Sequence, residues 1–139
     1  MTDKPRYEGA HAELTDRILG EFYKVANDLG FGFLETVYRR SLLLALRAAG
    51  LEAEEEVPVP VFYMGHCVGL FYADIVVEGV VILELKAADQ ITRQHQAQLL
   101  HYLRASRMEV GLVLAFGERA LIKRLVMTND RKPTLPQSI

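Results

Sequence analysis

Two apolar runs, 71–77 and 80–85, meet at Glu78-Gly79, and outside that turn the stretch from Phe71 to Lys86 admits only three charged side chains: Asp74, Glu84 and Lys86. Few folds accommodate such a segment. Runs rich in Val and Ile, bounded by an acidic–Gly pair, read as two strands joined by a tight turn. Val80-Val81-Ile82-Leu83 has no polar face, which suits a central strand better than an edge. Glu84 and Lys86 are two apart and project from the same face. If the turn holds Glu78, Gly79 and Val80, Asp74 falls opposite Glu84, with about 4.5–5.5 Å between their Cβ atoms. Two carboxylates and an ammonium then converge. Like charges that close need a compensating cation, and a hard divalent ion such as Mg2+ takes oxygen ligands of this kind.

Ahead of this pair, Leu14, Ile18, Phe22, Val25, Ala26 and Leu29 recur at three- and four-residue spacing, which predicts an amphipathic helix over 12–29. Gly30-Phe31-Gly32 interrupts it. Leu34, Tyr38, Leu42, Ala45 and Ala49 then set a second helix over 34–49, with Gly50 as its stop. The acidic run Glu52, Glu54, Glu55, Glu56 reads as a solvated loop or strand edge. From Val57 to Tyr63 the period falls to two, and Pro58 and Pro60 assign this strand to a sheet edge, because proline cannot donate to the ladder. Met64-Gly65 turns into a strand over 67–77. Beyond the apolar pair, 94–105 reads as a helix, 110–116 as a buried strand and 121–126 as a short last strand. Pro133 and Pro136 mark a loose end.

With 139 residues, 50% of them hydrophobic and 24% charged, the chain has the size and composition of one folded domain. No apolar run approaches the ~18 residues of a membrane span, the first residues lack the apolar stretch of a signal peptide, and the lone Cys67 has no internal disulfide partner. The expected compartment is the cytoplasm. Net charge is -2, but residues 1–92 carry -7 and residues 93–139 carry +5. A pI near 6.1 argues against indiscriminate nucleic-acid binding while permitting a local basic groove, for which Arg93 and Arg104 are candidates.

Asp74, nine further residues and then Glu84-Leu85-Lys86 resemble the D-x(n)-E-x-K core of the PD-(D/E)XK nuclease superfamily, with Ala73 in place of its proline. Upstream stands Gly32-Phe33-Leu34-Glu35-Thr36-Val37-Tyr38, a G-x-x-E-x-x-Y string. Downstream stands His95-Gln96-Ala97-Gln98-Leu99-Leu100-His101-Tyr102-Leu103. In order and spacing, from about Thr15 to Val126, the chain is similar to the bacterial GxxExxY proteins, a branch of that superfamily. The resemblance implies that Asp74 and Glu84 ligate Mg2+ or Mn2+, with the Leu85 carbonyl as a further ligand and Glu35 completing the site. It implies that Lys86 positions the attacking water and stabilises its hydroxide form. Gln98 and Tyr102, four apart on one helix face, resemble the Q-x-x-x-Y string of helicase-associated nucleases and join the catalytic set. Tyr38 and His95 are expected at the substrate.

Each of these residues also has an ordinary reading. Glu35 suits the positive end of a helix, Tyr38 suits core packing, Gln98 and Tyr102 suit a half-buried helix face, and His95 suits a structural role. His66-Cys67 is discounted as a zinc pair, because adjacent strand residues point to opposite faces.

The expected fold is therefore α/β: a single domain, restriction-endonuclease-like, with a mixed central sheet containing a three-stranded antiparallel meander flanked by helices in the order ααβββαββ. It spans 12–128, between an N-terminal extension (1–11) and a flexible tail (129–139). The expected activity is metal-dependent hydrolysis of nucleic-acid phosphodiesters, DNA placed ahead of RNA, by a metal-activated water. The alternative is a non-catalytic nucleic-acid-binding or regulatory module that retains the fold. No membrane partner is expected, and a homo-oligomer stays open.

Overall fold

A computed structural model of the chain describes residues 7–132. Two helices come first, α1 (Ala12–Leu29) and α2 (Glu35–Ala48). Each buries part of its expected stripe, Ile18, Phe22 and Val25 on α1 and Tyr38 and Leu42 on α2, and adds Leu19, Leu43 and Leu46, which that spacing leaves out; Leu34, expected on the second stripe, precedes α2 and is 78% exposed. The end of α2 is a Schellman turn. Gly50 adopts φ 85°, its N–H donates to the Arg47 carbonyl, and the Leu51 N–H donates to the Leu46 carbonyl.

The strands are β1 (Ala53–Tyr63), β2 (His66–Val77), β3 (Val81–Lys86), β4 (Val110–Phe116) and β5 (Ala120–Val126), with α3 (Arg93–Ala105) between β3 and β4. They form one sheet in the order β1-β2-β3-β4-β5. The first three make an antiparallel meander, β3 and β4 run parallel, and β5 returns antiparallel. β3 lies in the middle, as its two-sided apolar run requires, and the proline-bearing β1 lies at an edge. The acidic run does not stay in a loop: β1 begins at Ala53 and includes Glu54, Glu55 and Glu56, because an edge strand leaves alternate residues to solvent and Arg39 of α2 meets Glu55 and Glu56 at 3.3 and 3.2 Å.

A core lies on each face of the sheet. α1 and α2 cover Ile75, Val77, Leu83, Leu85, Leu112 and Leu114. On the other face Leu99, Tyr102 and Leu103 of α3 cover Val76, Ile82 and Val113. The helix comes close at Gly111, where an added Cβ would stand 2.6 Å from a Leu99 methyl.

Among the described residues no helix is long and apolar enough to cross a membrane. Of the segment expected as a flexible tail, Asn129–Arg131 form a 3-10 turn, and Lys132 Nζ donates to the Ser106 and Met108 carbonyls at 2.8 and 2.7 Å. Residues 1–6 and 133–139, and with them Pro133 and Pro136, lie outside the described residues.

Candidate active site

The strands β2 and β3 pair Val77 with Val81, Val76 with Ile82 and Ile75 with Leu83 around a turn of Glu78, Gly79 and Val80. One step further in this register, Asp74 faces Glu84. There the backbone ladder ends and side chains take over its work. Glu84 Oε1 accepts the Asp74 N–H at 3.2 Å, and Asp74 Oδ2 accepts the Leu85 N–H at 2.8 Å. The ladder lapses on the other side of β2 as well, where Glu55 pairs with Ile75 and Val57 with Ala73 but Glu56 pairs with nothing and stands at φ 51°. Asp74 thus sits where the sheet lets go on both sides.

Only 2% of Glu84 is exposed. Burial, and then repulsion from Asp74, pushes its carboxyl up to about 8. Burial raises Asp74 too, against the Leu85 N–H and the charges of Lys86 and Arg39, which pull it down. The two carboxyls act on each other, and with both buried the pair favours keeping a proton. Of the two, Glu84 is raised to the higher value and favours its neutral form at neutral pH. Beside this pair runs a chain of polar contacts onto α3: Lys86 Nζ donates to Gln98 Oε1 at 3.1 Å, and Gln98 Nε2 donates to the Tyr102 hydroxyl at 3.1 Å. The Tyr102 phenol is raised by burial and by Glu84. The predicted Asp74, Glu84, Lys86, Gln98 and Tyr102 thus form one contiguous cluster.

Glu35 and His95 border it. Glu35 is exposed in the first turn of α2. His95 sits at the start of α3 in a capping box: Thr92 Oγ1 accepts the His95 N–H, and His95 Nδ1 accepts the Thr92 N–H, both at 3.2 Å. Burial and Lys86 lower the imidazole pKa while Glu35 raises it, so both charges act on the ring. Arg93, exposed, is the first residue of the same helix.

One expected substrate contact is corrected, and another lies apart from the cluster. Tyr38 is fully buried; its hydroxyl donates to the Gly30 carbonyl at 2.6 Å and accepts the Phe33 N–H at 3.2 Å, and its ring stacks on Phe116 at 4.3 Å. It fastens the turn before α2 instead of reaching the substrate. Arg104 lies in the last turn of α3, about 16 Å along the axis from Arg93 and off the Gln98–Tyr102 face. Nor do the cations of 93–139 share one surface. Arg124 is spent on the Ala10 carbonyl, at 2.6 Å, and on the Tyr7 ring, at 5.3 Å.

Arg39 was not foreseen as part of the site. It stands four residues after Glu35 on α2, a spacing that could have pointed to it, and its charge lowers Asp74. Phe71 was missed as well; its half-exposed ring lies 5.9 Å from that of Tyr102.

The donor set suits a hard divalent cation: two buried carboxyl groups that must otherwise share a proton, next to the Leu85 carbonyl. No group of three or more His, Cys, Asp or Glu side chains among the described residues is placed to hold an ion. The carboxyl pair is thus the whole acidic core of the site as it stands, a number sufficient for Mg2+, which binds through one or two carboxylates and keeps its waters. No curated protein and no solved structure matches the chain. A family model described as PD-(D/E)XK nuclease superfamily matches residues 12–125, which include both outer helices, the meander, α3 and the site cluster. The chain belongs to the PD-(D/E)XK nuclease superfamily.

Proposed function

We propose that the protein is a metal-dependent nuclease that hydrolyses phosphodiester bonds of nucleic acid, DNA ahead of RNA, working in the cytoplasm and belonging to the GxxExxY branch of its superfamily. The observation that carries this reading is the buried Asp74–Glu84 pair, raised in pKa and flanked by a lysine, which is expensive for a fold to keep without a cation to bind. Asp74, Glu84 and the Leu85 carbonyl are the groups that would hold Mg2+ or Mn2+, with Glu35 as a further candidate. Such an ion, when bound, lowers the pKa of a coordinated water and neutralises charge on the phosphate.

The rest of the reading assigns the chain's own groups. Lys86, held by Gln98, which in turn is held by Tyr102, keeps its ammonium beside the carboxyl pair. There it orients the attacking water and stabilises the developing hydroxide. His95 has its Nδ1 committed to the Thr92 N–H, so its Nε2–H points outward as a neutral donor for a phosphate oxygen. Arg39 and Arg93 add positive charge around the anionic substrate.

The decisive experiment is cleavage of end-labelled DNA and RNA with Mg2+, Mn2+ or chelator, with Asp74→Asn protein as the control for contaminating nucleases. Metal-dependent cleavage absent from the control supports the assignment. Binding without cleavage of either polymer sinks it and leaves a binding module.

A further inference from the structure

Two half-exposed aromatic rings lie near site residues, one on β2 and one before α2, each against a buried tyrosine. Phe71, three residues before Asp74 on β2, is 48% exposed and lies against Tyr102, which is 4% exposed. On the α2 side, Phe33 precedes Glu35 by two residues and is 47% exposed. Its N–H is fixed by the Tyr38 hydroxyl, and its ring meets the Tyr38 ring edge-on at 6.1 Å. Each ring thus shows part of its surface to solvent while packing on a buried tyrosine.

The charge pattern around them is as uneven. The 57–73 hairpin that carries Phe71 contains no Asp, Glu, Lys or Arg, and neither does the 30–34 loop that carries Phe33, although residues 1–92 hold 15 acidic side chains. A polyanion arriving along the hairpin meets no like charge on that segment before the carboxyl pair, and one arriving along the loop meets only Glu35 at its end.

We propose that Phe33 and Phe71 are stacking platforms for unpaired bases on either side of the reacting phosphate, so that the substrate is single-stranded nucleic acid. This rests on reading Asp74, Glu84 and Lys86 as a phosphodiester site. Unpaired bases offer a π-face to any ring, whereas in a duplex those faces are already stacked on one another. A second copy of the chain is the rival occupant. Strand pairing with it is obstructed along β1, whose edge carries Pro58 and Pro60.

The test is fluorescence anisotropy in chelator with a labelled oligothymidylate of about 20 nucleotides, its uridylate counterpart, and the duplex of the first with oligoadenylate. Wild-type protein should bind both single strands more tightly than the duplex, a comparison that needs no variant to fold. Phe33→Leu and Phe71→Leu, which keep an apolar side chain against Tyr38 and Tyr102 but remove the ring, should each weaken single-strand binding about 5-fold or more while leaving duplex binding unchanged. Leu44→Ala, at a 69% exposed position two and a half turns along α2 from Glu35, should change neither. Equal affinity for the duplex, or Leu variants that bind single strands like the wild type, would overturn the proposal. So would a dimer seen by sedimentation that Phe71→Leu dissociates. Hydrolysis of bis(p-nitrophenyl) phosphate by wild-type protein with Mn2+ tests the phosphodiesterase reading separately, because that substrate has no nucleobase.

Discussion

Replacing Glu84 by Gln should stabilise the metal-free protein, and more so as pH rises. In the fold the Glu84 carboxyl titrates at about 8 instead of 4.5. Between those values the unfolded chain is ionised while the fold retains the proton. The folded pKa is the higher one, so whatever stability the proton confers is fully present below about 4.5 and is lost as pH climbs towards about 8, at roughly 1.4 kcal/mol for each tenfold change in proton activity. By neutral pH the fold has given up on the order of 3 kcal/mol. A glutamine reproduces the neutral acid: its Nε2 donates towards Asp74 as the acid proton does, and its carbonyl accepts the Asp74 N–H as Oε1 does now. The variant should therefore match the wild type at about pH 5 and exceed it at about pH 8 by roughly 3 kcal/mol, or about 10 °C in melting temperature for a chain of this length. Saturating Mn2+ should raise the wild type by about 2–3 kcal/mol at 100 times its Kd and leave the variant almost unmoved. Differential scanning fluorimetry across the pH range, with and without metal, measures all four curves. A Glu84→Gln protein that melts below the wild type at about pH 8 would refute the electrostatic reasoning.

Lys86→Ala should keep the metal-induced rise in melting temperature yet lower the cleavage rate by about 10²-fold or more, whereas Glu84→Ala should lose both together. Tyr38→Phe removes two hydrogen bonds at a fully buried site and should cost about 1–2 kcal/mol in urea unfolding. Gly111→Ala forces a methyl against Leu99 and should cost about 1–3 kcal/mol while lifting α3, so that Gln98 loosens its hold on Lys86. Arg93→Ala should lower the slope of log affinity against log salt by about 1, whereas Arg124→Ala, already occupied by Ala10 and Tyr7, should leave it unchanged.

The heart of the site was legible because a strand has a period of two. Once a three-residue turn is granted, only one residue can stand opposite Asp74, and the same period puts Lys86 beside it. The stop of α2 at Gly50 and the edge position of β1 followed from what glycine and proline permit. Long-range partners were less legible. Nothing local to Glu55 and Glu56 announces that Arg39, a helix away, will meet them, so a solvated run was the natural expectation. Tyr38 satisfies a core pattern and a site pattern with the same spacing; only its burial and its bond to Gly30 decide between them. The surplus of cations after residue 93 belongs to a stretch of chain and not to a surface, since successive residues of β5 face opposite sides of the sheet.

At the end of the β2–β3 ladder the acids replace backbone rungs: Glu84 accepts the Asp74 N–H and Asp74 accepts the Leu85 N–H. The two most diagnostic residues of the chain are therefore also pieces of its sheet. A substitution at either acid that leaves no oxygen to accept the backbone N–H would open the end of the sheet as well as the site, whereas an amide in its place would spare the sheet. The Lys86 side chain closes no rung; its ammonium donates to Gln98 and acts on the two carboxyls through its charge. A change at the lysine side chain leaves the sheet's hydrogen bonds whole, so it separates the chemistry of the site from the folding of the strands that build it.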